Sequence, residues 1–347
     1  MTSNTRNVQP VITSFRSSYP ALLADAWAQH LTPRASDAPT VISLFAGCGG
    51  SSLGYSMAGY RELLAVEWDD NAVETFKLNF LEVPVYHGDI AKLSVEDVLA
   101  RASLQPEELD VLDGSPPCQG FSTAGKREMG DSRNQLFREY VRLLRGLRPK
   151  VFVMENVSGM VKGKMKLIFV EILKELKASG YKVSVRLLNA MYFHVPQSRQ
   201  RLIFIGVRED VGKPSHPRPC ARPVALREAL NGLVDQKQIA PALYPNQRKH
   251  YAETRRGKSH HKRFALVRLD WGATAPTILK PSGSGGHMHP DEPRLLNTGE
   301  LQRLATFPDG FRFSGTWNNS VNRIGNSVPP LLMRAIAQHI REHILKS

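Results

Sequence analysis

Cysteine is scarce. The three present in 347 residues, Cys48, Cys118 and Cys220, cannot all pair with one another, and no Cys-x-x-Cys or Cys/His cluster with zinc-ligand spacing accompanies them. A disulfide scaffold and a zinc module are therefore not expected, and no metal is expected. No apolar run approaches the ~18 residues of a membrane span. The opening stretch MTSNTRNVQPVITSF lacks the apolar core of a secretory signal. These absences point to a soluble protein of a reducing compartment, expected in the cytoplasm and off the membrane. Acid is also in short supply: 46 Lys and Arg against 32 Asp and Glu leave a net charge of +14, which favours a polyanionic partner. Hydrophobic residues make up 41% of the chain, enough for a packed core, so wholesale disorder is excluded. The length suits two domains, or one with a large insertion.

Residues 1–38 are polar apart from an amphipathic stretch over 19–31, and read as an N-terminal arm. From Thr40 short apolar runs alternate with helical spacing. VISLF (41–45), LLAVEW (63–68), VPVYH (83–87), LDVLDG (109–114), KVFVMEN (150–156), KVSVRLL (182–188) and RLIFIGV (201–207) read as strands. Helices are expected over 51–57, 71–80, 95–101, 134–147 and 165–179. Several strands are apolar throughout, as when helices cover both faces. The alternation predicts an α/β fold, a doubly wound and mostly parallel sheet with ligands beyond the carboxyl ends of its strands. That domain is expected over 39–210. The rhythm then breaks into a Pro-rich and strongly basic region, 211–298, read as a second, smaller domain. Within it, residues 248–268 hold Arg248, Lys249, Arg255, Arg256, Lys258, Lys262, Arg263 and Arg268 against one acid, Glu253. Residues 299–320 form a connection, and 321–347 return to the first domain through a helix over 331–345.

SLFAGCGGSSLG (43–54) leaves the first strand and opens a helix. Gly47 and Gly49 permit a tight turn and close backbone approach, and Gly54 is expected to let the helix sit near the sheet. The spacing departs from the dinucleotide G-x-G-x-x-G. Glu67, at the end of the next strand, is placed to take a ribose's two hydroxyls. Asp89 closes the third strand within reach of an adenine amino group, and Trp68 offers a ring to stack on it. Singly, each acid reads equally well as a helix cap; together they favour a nucleoside site.

DGSPPCQGFSTAG (113–125) comes after the fourth strand. Pro116 and Pro117 stiffen the approach to Cys118, and Gly120 and Gly125 loosen the chain beyond it. A rigid mount for one thiol before a glycine-hinged loop suits a nucleophile under a lid. Cys48 and Cys220 read as structural thiols. VFVMENV puts Glu155 and Asn156 at the end of the fifth strand, an acid able to protonate a ring nitrogen. QSRQR (197–201) sets Gln197, Arg199 and Arg201 on one face by period two, an anion-stabilising wall beside the carboxylate and thiol. His287 and His289 have no third ligand close by and read as loop polarity.

As an ordered set, FAGCGG (45–50), Glu67, GDI (88–90), GSPPCQGFS (114–122), ENV (155–157), QSRQR, ELQRLATFPD (300–309) and GNSVPP (325–330) resemble the cytosine-5 DNA methyltransferases. The resemblance covers nearly all of 41–345 outside 211–290. It implies S-adenosyl-L-methionine as methyl donor and S-adenosyl-L-homocysteine as product. The pocket it implies is built from Phe45, Gly47, Gly49, Gly50, Glu67, Trp68, Asp89, Ile90, Pro117, Leu136, Asn326 and Ser327. It implies Cys118 as the nucleophile towards a cytosine flipped out of double-stranded DNA, Glu155 as the acid, and Arg199 and Arg201 as orienting cations supported by Gln197. Gln119, Ser122, Lys126, Arg127 and Arg133 would contact DNA around that base. The basic segment would be the target-recognition domain, with Arg255, Arg256, Lys258, Lys262 and Arg263 as candidate contacts. A monomer is expected, and a cognate restriction endonuclease would act separately. Two other readings share this core: an RNA (tRNA) cytosine-5 methyltransferase and a catalytically silent DNA-binding relative. The tRNA enzymes typically carry a Cys-Phe-Thr signature that the variable region here lacks. Retention of Cys118, Glu155 and both arginines speaks against silence.

Overall fold

The computed structural model describes residues 18–117, 132–161, 163, 165–233, 242–280 and 286–346. In chain order the first elements are α1 (Tyr19–Leu31), β1 (Thr40–Leu44), α2 (Gly50–Met57), β2 (Arg61–Glu67), α3 (Asp70–Asn79) and β3 (Val85–His87). Then come α4 (Val95–Ala102), β4 (Val111–Gly114), α5 (Ser132–Leu147), β5 (Val151–Val157), α6 (Met165–Lys177) and β6 (Tyr181–Asn189). Next are β7 (Gln197–Ser198), β8 (Gln200–Arg208), α7 (Leu226–Ala229), α8 (Pro245–Glu253), β9 (Lys258–His260) and β10 (Arg263–Arg268). The last are β11 (Ala275–Pro276), β12 (Gly286–Met288), α9 (Thr298–Leu304), α10 (Trp317–Asn326) and α11 (Pro330–His343).

Seven strands form one sheet in the order β3-β2-β1-β4-β5-β8-β6. β1 to β5 run parallel, and β8 lies antiparallel between β5 and β6. The mostly parallel α/β sheet expected from the sequence is thus the one observed. Its single reversal has a simple cause. Between β6 and β8 the chain holds only a short 3-10 turn and β7, whereas a parallel return needs a crossover of a dozen or more residues.

Alternate residues of the strands feed opposite layers. Val41, Val111, Val151, Val153, Ile203 and Ile205 enter one buried cluster with α1, α2, α9 and α11. Ile42, Leu44, Leu112, Phe152, Met154 and Phe204 enter another, under α4, α5 and α6. Period-two alternation of apolar side chains therefore builds a core on each face. Tyr19, Leu23 and Ala26 tie the N-terminal arm into the first cluster.

The glycine expected to bring α2 near the sheet serves a different neighbour. A Cβ on Gly54 would lie 2.6 Å from Met333 Cβ and 2.7 Å from the Pro330 carbonyl oxygen, so Gly54 admits α11. The Tyr60 hydroxyl, donating to the Ala337 carbonyl at 3.0 Å, fixes the same returning helix.

Of the 211–298 span, Ala221, Val224, Leu226 and Ala229 are buried in the first large cluster. Leu243, Tyr251, Leu266, Met288 and Leu295 form a separate small core. It carries a three-stranded sheet, β12-β10-β9, while β11 pairs with β7 beside the main sheet. Among the described residues no helix is long and apolar enough to cross a membrane.

Gly54→Ala should force α2 and α11 apart and cost about 1–3 kcal/mol. Urea denaturation reads this directly; an unchanged midpoint would contradict the close approach.

Candidate active site

The carboxyl ends of β1, β2, β4 and β5 open into one cleft of about 910 Å³. Its first half is built on the loop after β1. Phe45 has φ +56°, a left-handed conformation uncommon for a bulky residue, and the next amide, of Ala46, donates to the Val66 carbonyl. Gly49 has φ +94°, and a Cβ there would lie 2.4 Å from the Phe80 ring, so only glycine fits. The Glu67 carboxylate then gathers three amides. It accepts from Gly47 at 2.8 Å and from Trp68 and Asp69 at 2.9 Å each. Trp68 is 76% exposed at the rim. Asp69 caps α3 through the Ala72 amide and pairs with Arg323 at 2.9 Å, which brings α10 to the cleft. Ser327 Oγ donates to the Arg323 carbonyl and lies 3.3 Å from Cys48 Sγ. Burial pushes the Cys48 thiol up to about 11, so it stays protonated at neutral pH.

The second half is built on β4, β5 and β8. β4 leads through Ser115, Pro116 and Pro117, all lining the cleft, to position 118. Asn156 Nδ2 donates to the Pro116 carbonyl at 3.2 Å, fixing that approach from β5. Antiparallel pairing sets Val157 opposite Arg201. Arg201 Nε and Glu155 Oε1 are 2.6 Å apart, and both side chains are about nine-tenths buried.

Arg199 is used otherwise. The sequence pattern sets it beside Arg201 as a second orienting cation. Its Nη1 instead donates to the Ile278 carbonyl at 3.0 Å and its Nη2 to the Gly325 carbonyl at 2.9 Å. Burial lowers it to about 9, aided by neighbouring Arg201 and opposed by Glu155. Gln197 works the same way, its Oε1 accepting from the Ile278 amide at 2.9 Å. Two residues of the expected wall therefore brace the main chain, and the third meets the acid.

Phe45, Gly47, Gly50, Glu67, Trp68, Pro117, Glu155, Asn326 and Ser327 line the cleft. Gly49 stands behind them against Phe80. Asp89, Ile90 and Leu136 are outside that lining. Asp89 is exposed and caps a 3-10 turn by accepting from the Ala91 amide, while Ile90 and Leu136 pack in the second core cluster. Cys118, Gln119, Ser122, Lys126 and Arg127 lie outside the described residues, as does the Arg133 side chain. Sequence reasoning missed Asp69, Met160, Met165, Lys280 and Arg323, which also line the cleft. Arg323 stands two residues before GNSVPP, a signal that was readable; Lys280 had none.

On the small domain Arg255, Lys258, Lys262 and Arg263 are exposed. Arg256 is committed to Asp291 and the Pro290 carbonyl. Arg268 stacks over the Tyr251 ring at 4.2 Å and also donates to Pro290. A second cleft of about 420 Å³ runs between this sheet and α10, lined in part by Phe264, Leu279, Trp317 and Lys280. Phe264 is 80% exposed, and Lys280 lines both clefts. His287 and His289 are buried. Burial pushes His287 down to about 4, and His289 Nδ1 accepts from the Asp291 and Glu292 amides.

Asp113, buried beneath the Pro-Pro segment, is pushed up to about 8 by burial. The Ser51 and Tyr55 hydroxyls oppose that rise, and the Glu62 and Glu155 charges add to it. In the unfolded chain the carboxyl titrates near 3.9, so the fold favours its protonated form. That stability is complete below pH ~4 and is lost as pH rises towards 8. The stability of Asp113→Asn relative to the parent should therefore climb between pH 4 and 8 and level off above. Urea titrations at stepped pH measure it, and a flat difference would contradict the burial.

A glycine-loop cleft on an open sheet, with an acid–arginine pair and a Pro-Pro approach at its other end, is the frame of an α/β transferase for a nucleoside-bearing donor. The family model for C-5 cytosine-specific DNA methylase matches residues 39–342, and the chain belongs to that family. It is a DNA (cytosine-5) methyltransferase. Type II methyltransferase M.XorII of Xanthomonas oryzae pv. oryzae is 32% identical over 365 residues, covering 89% of this chain and 86% of the relative. M1.HphI of Haemophilus parahaemolyticus is 33% identical, covering 87% and 86%. A solved structure described as a DNA modification methyltransferase encoded within an E. coli prophage superposes with a TM-score of 0.72. It is 27% identical and covers 89% of this chain and 100% of its own. Spodoptera frugiperda DNMT2 shares the fold, with a TM-score of 0.66 at 19% identity, covering 86% and 98%.

Proposed function

We propose that this cleft methylates C5 of a cytosine extruded from a specific double-stranded DNA sequence, with Cys118 as the nucleophile. One observation carries the reading. Pro117, the residue before Cys118, lines the same cleft as Glu155 at one end and Glu67 at the other.

The residues present fit S-adenosyl-L-methionine, the methyl donor that the family implies. A Cβ on Gly47 would meet nothing within 4 Å, so the wall there is open, and Glu67 beside it offers a carboxylate already oriented by three amides. Glu67 would hold the ribose hydroxyls, Phe45 and Trp68 would flank the adenine, and Asn326 and Ser327 would close the far side. Gly49 and Gly50 shape the loop. Asp89, Ile90 and Leu136 belong to this assignment by resemblance alone. The bound donor supplies an electrophilic methyl group and leaves as S-adenosyl-L-homocysteine.

C5 of cytosine is a poor nucleophile. Addition of the Cys118 thiolate to C6 moves electron density onto C5, which can then take up the methyl group. Glu155 would hydrogen-bond N3 and the exocyclic amine, with Arg201 holding Glu155 in place and offsetting charge at O2. Loss of the C5 proton and cleavage of the C6–sulfur bond restore the ring. Arg199 contributes by position, bracing the strand that delivers Arg201. Extruding the base costs a few kcal/mol, which contacts from Gln119, Ser122, Lys126, Arg127 and Arg133 would offset. Arg255, Lys258, Lys262 and Arg263 would bind phosphates, with affinity falling steeply as salt rises; Arg256 serves the domain's own structure as well. M.XorII and M1.HphI are type II methyltransferases, which supports a modification enzyme here; we take it to act as a monomer in the cytoplasm, with any cognate restriction endonuclease acting separately.

Labelled methyl transfer to duplex DNA and to tRNA tests the assignment. Label should appear on cytosine C5 of the duplex, and Cys118→Ala should abolish it while leaving DNA binding intact. Turnover by that variant, or label on tRNA alone, would overturn the reading. Glu67→Ala should weaken donor binding by about 1–3 kcal/mol without changing DNA affinity. Calorimetry measures both, and equal losses for the two ligands would contradict the role given to Glu67.

A further inference from the structure

We infer that the small domain holds a zinc-class metal site formed by His250, Glu253 and His260. α8 carries His250 and Glu253 one turn apart, so both project from one face. His260 ends β9 and meets them from across the loop. Its Nε2 is 3.2 Å from Glu253 Oε2. His250 Nδ1 is 3.8 Å from the same oxygen, and the three ligand atoms all lie within 4.8 Å of one another. The two imidazole centroids are 4.1 Å apart.

His250 Nδ1 carries the argument furthest. It is buried, and among the described residues it has no hydrogen-bond partner, a costly state for a polar atom. A separation of 3.8 Å from Glu253 is too long for a hydrogen bond. It is close to the spacing of two ligands on one ion, about 3.4 Å for tetrahedral bonds of 2.0–2.1 Å. Two imidazoles and a carboxylate suit Zn²⁺ and leave a fourth position to water, which reaches the site past the 39% exposed Glu253 side chain. In the metal-free form His260 Nε2 donates to Glu253, and its Nδ1 accepts a long 3.3 Å contact from the Lys262 amide. Metal binding shifts that ring proton to Nδ1 and gives up the Lys262 contact to solvent.

The domain has reason to need such a tie. Its own core holds five buried apolar side chains, and small cores commonly depend on a metal or a disulfide. The ion would lock α8 to β9, next to the strand pair that presents Lys258, Lys262 and Arg263. The sequence expectation of no metal rested on Cys and Cys/His spacing and on His287 and His289 lacking a third ligand; this donor set uses neither cysteine nor those histidines.

The full-length protein should be stripped with chelator, titrated with zinc, and titrated separately with cobalt to read tetrahedral absorption bands. We expect saturable binding of about one equivalent per chain and a zinc-dependent rise in the melting temperature. His250→Ala and Glu253→Gln should lose both responses while still binding S-adenosyl-L-methionine by calorimetry, which shows that the large domain is folded. His260→Asn serves as a second ligand variant where alanine at a buried position disturbs folding. No saturable zinc binding by the parent, or equal binding by the three variants, would overturn the site.

Discussion

A carboxylate and a guanidinium held 2.6 Å apart and nine-tenths buried, Glu155 and Arg201, set the terms for the rest of the catalytic half. Burying two charges is costly unless their geometry is good and their surroundings are fixed. Three features supply that here. The reversed β8 runs antiparallel to β5 and puts Arg201 opposite the end of the strand that carries the acid. Arg199 and Gln197, just upstream, are pinned to main-chain groups. Asn156, beside the acid, grips the Pro116 carbonyl, so the segment leading to Cys118 is set by the same strand end.

The same contacts join the two halves of the molecule. Arg199 reaches Ile278, in the stretch between β10 and β12, and Gly325, next to Asn326 and Ser327. From there Arg323 pairs with Asp69, whose amide is held by Glu67, whose carboxylate also holds the Gly47 amide. A path of hydrogen bonds and ion pairs thus runs from Ile278, along the Asn326 and Ser327 side of the cleft, to the glycine loop. Lys280, two residues beyond Ile278, borders both the large cleft and the cleft beneath the basic sheet. The wall proposed for the donor and the surface proposed for DNA therefore share one support.

Much of this was readable from local pattern. All seven sheet strands were legible within a few residues, because apolar runs bounded by helical spacing are local signals. The glycine loop and Glu67 were legible because strand ends announce themselves in the chain. The features that escaped depend on contacts between distant segments. Nothing near Gly54 says that α11 is its neighbour. Period two aligned Gln197, Arg199 and Arg201, yet which of them meets an acid depends on Ile278 and Gly325, far along the chain. The cap reading and the ligand reading of Asp89 are equally consistent with its sequence context, and its side chain caps a turn. Pro-rich composition suggested a break at 211, whereas Val224, Leu226 and Ala229 are apolar enough to rejoin the large core.

The proposed reaction turns on a covalent bond between sulfur 118 and a pyrimidine ring. Duplex DNA containing 5-fluorocytosine, incubated with enzyme and S-adenosyl-L-methionine, cannot lose the C5 substituent and should arrest the reaction as an adduct. Peptide mass spectrometry of the digested complex should then find the modified nucleotide on the peptide containing Cys118. Attachment at Cys48 or Cys220, or no attachment while the enzyme still methylates ordinary duplex, would contradict the account.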